Sequence, residues 1–359
     1  MRIIQIIDSL EAGGAERMAI SYANALAKKI EFSGLVVTRK EGPLLHQIDA
    51  AVSYLYLNKK GSIDLRALFK LRRYVLAHQV SIVHAHSTSF FLAFLLKLSC
   101  PAVQLIWHDH YGDSEFLVQR PTFVLRQVIP FFSGIVAVNQ KLKGWAEQKL
   151  NFKNAIYLPN FPSQENNRGE QTFLKGILGK RILCLANLRV QKDHFLLLKI
   201  ATKLKVSHPE WTFHLVGKDF EDAYSQKIKD SIVAFDLEKN VFLYGTQQDV
   251  AHILQQATIG ILTSKSEGLP VALLEYGWHK KPIVVTSVGE IPSLIAHGTN
   301  GFLVAAQQAD LFYEALVELI NSEELQMEFG RALYQTVLDH NSETIVIGKY
   351  LNWLQNSYK

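Results

Sequence analysis

Ser264-Lys-Ser-Glu-Gly-Leu-Pro-Val-Ala-Leu-Leu-Glu-Tyr-Gly277 follows directly on the apolar run Ile259–Leu262. The run reads as a buried strand, and Pro270 suits the first turn of a helix, where its missing N–H costs nothing. Glu267 and Gly268 then fall in the strand-to-helix loop, with Leu269 and Pro270 leading into the helix. First-turn amides are free donors and the helix dipole is positive at that end, so such a loop suits a phosphate. Glu275 sits inside the helix, so the two carboxylates stand on separate platforms, one placed for a sugar and one for a ribose. The same segment also reads as an ordinary strand, loop and helix with solvated glutamates, because short motifs specify function loosely.

On either side of this segment, short β-type runs alternate with helical patterns. The first half offers Ile3–Ile7, Gly34–Val37, Ser53–Leu57, Ile82–Ala85, Val103–Trp107, Ile135–Val138 and Ala155–Leu158, with helical periodicity over 16–29 and 65–78. The second half offers Ile182–Ala186, Thr212–Val216, Val241–Tyr244, Ile259–Leu262, Pro282–Val285 and Phe302–Val304. Continuous Val/Ile/Leu strands separated by helices indicate parallel sheets covered on both faces. At 359 residues two domains are expected. The polar, proline-containing stretch that begins at Pro159 marks the join. The expected organisation is a first domain over 1–162, a linker over 163–179, a second domain over 180–340, and a C-terminal helix over 341–359 packing back on the first domain.

Composition narrows the function. Hydrophobic residues make up 48% and charged residues 20%, as in a globular protein. The two cysteines, Cys100 and Cys184, lie far apart in apolar runs, so no disulfide framework is expected and a reducing, cytoplasmic setting fits. The first residues turn polar too quickly for a signal peptide. Phe90–Leu98 is interrupted by Lys97 and stopped by Pro101, short of the roughly 18 apolar residues that a membrane span needs. Residues 1–165 carry 19 Lys and Arg against 12 Asp and Glu, while the remainder carries 19 against 21. A moderate basic excess in one half is explained by an anionic membrane surface or a phosphate-bearing substrate without invoking nucleic acid. Arg66, Lys70, Arg72 and Arg73 stand among apolar residues at helical spacing, and Arg120 and Arg126 lie among aromatics. Such helices are usually packing elements, but here they also point to peripheral contact with anionic lipid on the inner face of the plasma membrane.

Glu267 and Glu275 stand in an E-x7-E relation, and the segment around them resembles the EGLP signature of family 4 of the retaining glycosyltransferases. The resemblance covers nearly the whole chain. It implies an α/β chain with the GT-B fold: two Rossmann-like, doubly wound parallel-sheet domains facing a cleft. The acceptor would lie mainly in the first domain and a nucleotide-sugar donor mainly in the second. Asp8-Ser-Leu-Glu-Ala-Gly-Gly-Ala-Glu-Arg17 follows the first strand, and its adjacent glycines allow backbone amides close to a diphosphate. Similar GGAER segments in the family lie over the donor phosphates, which assigns Gly14 and Gly13 to that contact; a plain tight turn is the alternative. After Ile182–Ala186 comes Asn187-Leu-Arg-Val-Gln-Lys-Asp-His194. Lys192 matches the family's diphosphate-gripping lysine, but Asn187 stands where an arginine is usual, with Arg189 two residues on. His108 matches a family histidine close to donor sugar and acceptor, where it can hydrogen-bond a sugar hydroxyl or share a proton with a carboxylate such as Asp109. His84 and His86 are read as facing opposite sides of their strand, so no metal cluster is expected with them. No Asp-x-Asp triplet occurs, so no metal is expected on the diphosphate and the nucleotide-sugar is a substrate, with no cofactor.

These readings combine into a retaining, metal-independent transfer of a sugar to a glycan or lipid-linked acceptor, in bacterial surface polysaccharide synthesis. Glu267 and His108 are the expected catalytic residues. Gly13, Gly14, Asn187, Arg189, Lys192, Gly268, Leu269, Pro270 and Glu275 are expected to hold the donor. Domain closure is expected to exclude water. A nucleotide-sugar epimerase of the same fold, or a non-catalytic subunit of glycan assembly, shares many of these features.

Overall fold

A strand rich in Val, Ile and Leu has no polar face to give to water, and each such strand here is buried between helices. The computed structural model describes residues 1–112, 114–162 and 171–357. The chain divides into two units, Met1–Ser163 with Glu343–Lys359, and Gln164–Ser342.

The first unit runs β1 (Arg2–Ser9), α1 (Gly14–Ala27), β2 (Phe32–Lys40), β3 (Ser53–Tyr56), α2 (Leu65–Ala77), β4 (Ile82–His86), α3 (Phe90–Ser99), β5 (Gln104–Asp109), α4 (Phe123–Val128), β6 (Gly134–Ala137), α5 (Gln140–Lys149) and β7 (Ala155–Tyr157). Its sheet is parallel with order β3-β2-β1-β4-β5-β6-β7. Alternation along the strands sorts the two faces. Ile4, Ile6, Val83, Ala85 and Leu105 meet residues of α2 and α3 such as Leu71 and Leu92. Ile7, Leu35 and Val37 meet Ala19, Ile20 and Ala23 of α1.

The second unit runs β8 (Arg181–Leu185), α6 (His194–Ser207), β9 (Thr212–Val216), α7 (Ala223–Ala234), β10 (Val241–Gly245), α8 (Val250–Gln256), β11 (Ile259–Leu262), α9 (Val271–Trp278), β12 (Ile283–Thr286), α10 (Ile291–Leu294), β13 (Phe302–Val304), α11 (Ala309–Ile320) and α12 (Glu323–Asn341). Its parallel sheet has order β10-β9-β8-β11-β12-β13. Both sheets are therefore doubly wound, with strand order reversing beside their first strand. The apolar runs of the sequence mark these strands to within two residues, except that β2 continues three residues past Val37.

The last helix, α13 (Glu343–Ser357), belongs to the first unit. Its Tyr350 hydroxyl lies 3.1 Å from His84 Nδ1, and Trp353 Nε1 donates to Asn154 Oδ1 at 3.1 Å. The indole lies so close to Gly134 that a Cβ there would fall 2.4 Å from it. Of the expected linker, residues 163–170 lie outside the described residues. The remainder is not a linker but part of the second unit. The Thr172 amide donates to Asp249 and the Leu174 amide to Gln256, and the Leu174 side chain is buried in the core. Leucine and threonine there find apolar surface and partners that a polar linker would not use. Among the described residues, no helix is long and apolar enough to cross a membrane.

At the reversal in the second sheet, β8 and β11 pair only at Ile259 with Ile182 and Gly260 with Leu183. The Tyr276 hydroxyl enters the gap beyond. It accepts from the Leu185 amide at 2.8 Å and donates to the Leu183 carbonyl at 2.9 Å, with the Ile261 carbonyl at 3.3 Å. Gly260 leaves room for the ring, since a Cβ there would lie 2.7 Å from it. Tyr276→Phe should leave these buried backbone groups unpaired and cost about 1–3 kcal/mol. A lowered urea midpoint at unchanged slope is the expected result, and an unchanged midpoint would contradict the role given to the hydroxyl.

Candidate functional site

The loop after β11 and the turn after β8 lie side by side at the carboxyl ends of their strands. Lys192 closes a short 3-10 turn, Val190–Lys192, and Asp193 adopts a left-handed conformation (φ 48°) before α6 begins. The Thr263 hydroxyl donates to the Lys192 carbonyl at 3.1 Å and the Lys265 amide to the Gln191 carbonyl at 2.7 Å, which zips the two segments together. Across this junction Lys192 Nζ meets Glu267 Oε1 at 2.5 Å, the side chains being 20% and 6% exposed. The Ser264 hydroxyl donates to the same carboxylate oxygen at 2.7 Å. A third strand end completes the frame. The Thr286 hydroxyl donates to the Ser264 carbonyl at 2.7 Å, and the Glu290 amide to the Gly268 carbonyl at 2.9 Å. Gly289 has φ 59°, and a Cβ on it would fall 2.1 Å from the Glu267 carbonyl oxygen, so no other residue fits. Loss of solvation, with Lys192 close by, lowers the His194 pKa to about 4, so the imidazole beside this junction is neutral at pH 7.

Pro270 stands one residue before α9 as its N-cap, not inside its first turn, because its ψ of 126° is still extended. Glu275 is buried on α9, among residues packed into the core. Asn187 is committed to structure: its Oδ1 accepts the Lys218 amide at 2.7 Å. Arg189 is exposed and lies over the Phe220 ring at 4.7 Å. Lys192 and Glu267 are thus brought into contact, while the Arg189 guanidinium stacks on an aromatic ring. Thr286, Gly289 and Glu290 are contributors to which the sequence reading assigns no role, and Ser264 stands there only as the start of the loop segment.

In the first unit, Gly13 is the N-cap of α1 and is extended (φ −151°), so a positive φ does not explain it. A Cβ on Gly13 would fall 2.2 Å from Glu16 Oε2, so the Glu16 carboxylate already lies over the residue expected to face a diphosphate. The carboxylate sits at the positive end of the helix dipole, where an anion is stabilised. Asp8, at the end of β1, accepts from Thr38 at 2.5 Å and Thr88 at 2.6 Å and joins three strand ends.

The histidines require two corrections. His84 and His86 share one face of β4, with ring centroids 4.6 Å apart, because residues two apart on a strand point the same way. Ring nitrogens of His84, His86 and His108 lie within 4.8 Å of one another, a group that could hold a metal ion, so the argument against a cluster there does not stand. Asp109 does not share a proton with His108. It projects to the other face of β5, where Arg120 grips it through two bonds of 2.6 and 2.8 Å. That guanidinium lies 4.2 Å from the Trp145 ring and 4.3 Å from the Tyr111 ring. His108 is 1% exposed and enclosed by Tyr22, His84, His86 and His110. Buried, unpartnered nitrogens and oxygens collect in this layer: His84 Nε2, both nitrogens of His108, Gln5 Nε2 and the Tyr22 hydroxyl. Loss of solvation holds the pKa values of His84, His86 and His108 well below 6.5, and neighbouring histidines add to it. The unfolded chain takes up these protons as pH falls through about 6.5 and the folded chain does not, so stability is complete above that pH and declines below it. Unfolding free energy should drop by about 1.4 kcal/mol per pH unit for each such histidine between pH 6.5 and 5. His84→Phe with His108→Phe should flatten the decline, as denaturant titration at several pH values will read; an unaltered slope would count against the layer as its source.

Comparison with known proteins bears on both units. Residues 12–161 match the family model Glycosyltransferase Family 4, and residues 174–336 match Glycosyl transferases group 1. The chain is 26% identical over 342 residues to an uncharacterized glycosyltransferase of Haemophilus influenzae, covering 93% of this chain and 94% of the relative. It is 25% identical over 357 residues to the amylovoran biosynthesis glycosyltransferase AmsD of Erwinia amylovora, covering 96% and 97%. Among solved structures, Anabaena HepE in complex with UDP-glucose superposes with a TM-score of 0.80 at 16% identity, over 99% of this chain and 100% of that one. With two doubly wound parallel sheets, the EGLP loop between β11 and α9, and both family models matched in order along its length, this chain belongs to the family 4 glycosyltransferases of the GT-B fold.

Proposed function

We propose that this protein transfers a glycosyl group from a nucleotide-sugar to a glycan or lipid-linked acceptor in bacterial surface polysaccharide synthesis, with retention of configuration and without a metal ion on the diphosphate. The Lys192–Glu267 pair, held at the carboxyl ends of β8 and β11, carries the reading. Open α/β sheets bind ligands at that reversal in strand order. Similarity to AmsD and to HepE, crystallised with UDP-glucose, supports a polysaccharide product and a UDP-sugar as the first donor to test.

In this reading Lys192 neutralises the departing diphosphate, the amides of Gly268 and Leu269 assist it, Glu275 holds the ribose and Glu267 the transferred sugar. Substitution proceeds on the front face through an oxocarbenium-like state, and the leaving phosphate takes the acceptor's proton. Stabilising the charge that develops on that phosphate is then the largest contribution of the protein. An ammonium already oriented by a carboxylate and two zipped loops needs little reorganisation to do so.

The two glutamates separate by calorimetry with UDP. Glu275→Ala should weaken nucleotide binding roughly ten- to hundredfold, as loss of a hydrogen bond to an ionised group. Glu267→Ala should leave UDP affinity unchanged or tighter, because Lys192 is released, while turnover falls about 100- to 1,000-fold. Equal loss of UDP affinity in both variants would overturn the division of roles. Transfer activity in excess chelator should stay near its untreated level. A loss restored by a divalent ion would overturn metal independence and direct attention to His84, His86 and His108.

A further inference from the structure

An imidazole brings two polar nitrogens into a core, and both need partners once water is excluded. The histidine layer of the first unit, covered by Tyr22 of α1 and Tyr350 of α13, does not meet that need. Both nitrogens of His108, His84 Nε2, the Tyr22 hydroxyl and Gln5 Nε2 are buried there without a partner. Rings that only stacked could be phenylalanine, which fills such space at no polar cost. Imidazoles in these places answer to a ligand that uses their nitrogens.

Register gathers the rings. β4 and β5 run parallel, with His86 opposite His108 and His84 opposite Ile106. Residues two apart on a strand share a face, so His84, His86 and His108 meet on one side of the sheet. The His108 ring centroid lies 5.0 Å from each of the other two. One ring nitrogen from each of the three lies within 4.8 Å of the others. Zinc–nitrogen bonds of about 2.0–2.1 Å place tetrahedral ligand atoms about 3.4 Å apart, so a pair at 4.8 Å closes when each ring swings inward by about 0.7 Å.

Hydrogen bonds already orient two of the rings as metal-bound histidines are oriented, through the second nitrogen. His84 Nδ1 lies 3.1 Å from the Tyr350 hydroxyl; when Nδ1–H donates to that oxygen, the lone pair is on Nε2, which has no partner. His86 Nε2 faces the Gln5 Oε1 at 2.8 Å, an acceptor only, so Nε2 carries the proton and the lone pair is on Nδ1. That lone pair lies 2.9 Å from His110 Nε2. His110 follows the end of β5 and is only part-buried, so it is the ring that gives way.

We propose that His84, His86 and His108 form a buried three-histidine site for a divalent transition-metal ion, with zinc the best fit. Magnesium and calcium take oxygen ligands, whereas imidazole suits zinc, copper and nickel. Zinc has no geometric preference from its d-electrons, which favours it where the rings must adapt. Two positive charges among neutral rings are costly. Water on a three-histidine zinc ion ionises near pH 7, so a bound hydroxide offsets part of that charge. The Tyr22 hydroxyl and the Gln5 amide, both without partners, are the groups in this layer that would hydrogen-bond it. The ligands belong to the first unit, whereas Lys192 and Glu267 belong to the second, so this ion is not assigned to the donor diphosphate. Its role is to tie β4 to β5 and, through Tyr350, to hold α13 on the sheet.

Metal retention by the full chain, free of any histidine tag, tests this. Protein produced in medium containing Zn²⁺ or Co²⁺ and dialysed against metal-free buffer should keep about one ion per molecule, and the cobalt form should show the strong visible absorption of a tetrahedral site. His84→Phe with His108→Phe should lose both the ion and the absorption. Tyr350→Phe keeps its ring and removes only the hydroxyl that orients His84. It should surrender zinc to a competing chelator at about 10- to 100-fold lower chelator concentration than the wild type. If the double variant does not fold, the Tyr350→Phe comparison decides alone. An ion content near zero, a cobalt form without tetrahedral absorption, or equal retention by the wild type and the variants would overturn the proposal and leave the layer to buried water.

Discussion

Where β8 and β11 separate, two parallel strands stop sharing hydrogen bonds inside a dry core, and their unpaired backbone groups must be met by something else. The phenol of Tyr276 meets them. The ring is carried by α9, so satisfying those groups fixes the helix against both strands at once. That in turn fixes the loop leading into the helix and delivers Glu267 to the ammonium of Lys192 on the opposite strand end. Gly260 and Gly289 are the complementary absences: one leaves room for the ring, the other for the loop. The geometry of the junction is thus a consequence of how a buried sheet resolves a change in strand order, and the chemistry uses a position that the fold had to build.

Charge is handled differently in the two units. In the second, one carboxylate and one ammonium face each other with a neutral histidine alongside, so removing either partner would strand a charge with little water to receive it. In the first, Arg120 is enclosed by aromatic rings and gripped by Asp109, a fully committed pair with no donor left idle toward the carboxylate. The histidine layer on the opposite face of the same sheet avoids charge altogether. Stacked and edge-on rings there exclude the water that protonation would need.

The architecture was legible because buried parallel strands must be written as uninterrupted apolar runs, and runs such as Thr212–Val216 and Ile259–Leu262 carry that constraint to the residue. The EGLP loop was legible as a loop for the same reason, from the strand before it and Pro270 after it. What the sequence left hidden depends on partners distant along the chain. Lys192 and Glu267 are 75 residues apart, and nothing local couples them. Asp109 finds Arg120 only because the intervening segment folds back over α5 and its Trp145. The error over His84 and His86 was one of counting, since a period of two puts them together, and it mattered because it separated ring nitrogens that share a single buried layer. Gly289 was visible as a glycine, but its left-handed φ and the carbonyl beneath it were not.

The placement of α13 bears on how the protein is made. Tyr350 and Trp353 are synthesised only after the whole second unit, yet they pack on His84, Asn154 and Gly134 of the first unit, which precede it. Throughout translation of the second unit, the nascent first unit must carry an unsealed patch of aromatic and imidazole rings. The later half of the chain has no such debt, since its elements are contiguous from residue 171 to α12. Vectorial synthesis would then reverse the intuitive order, the second unit reaching its native core while the first still awaits its final helix.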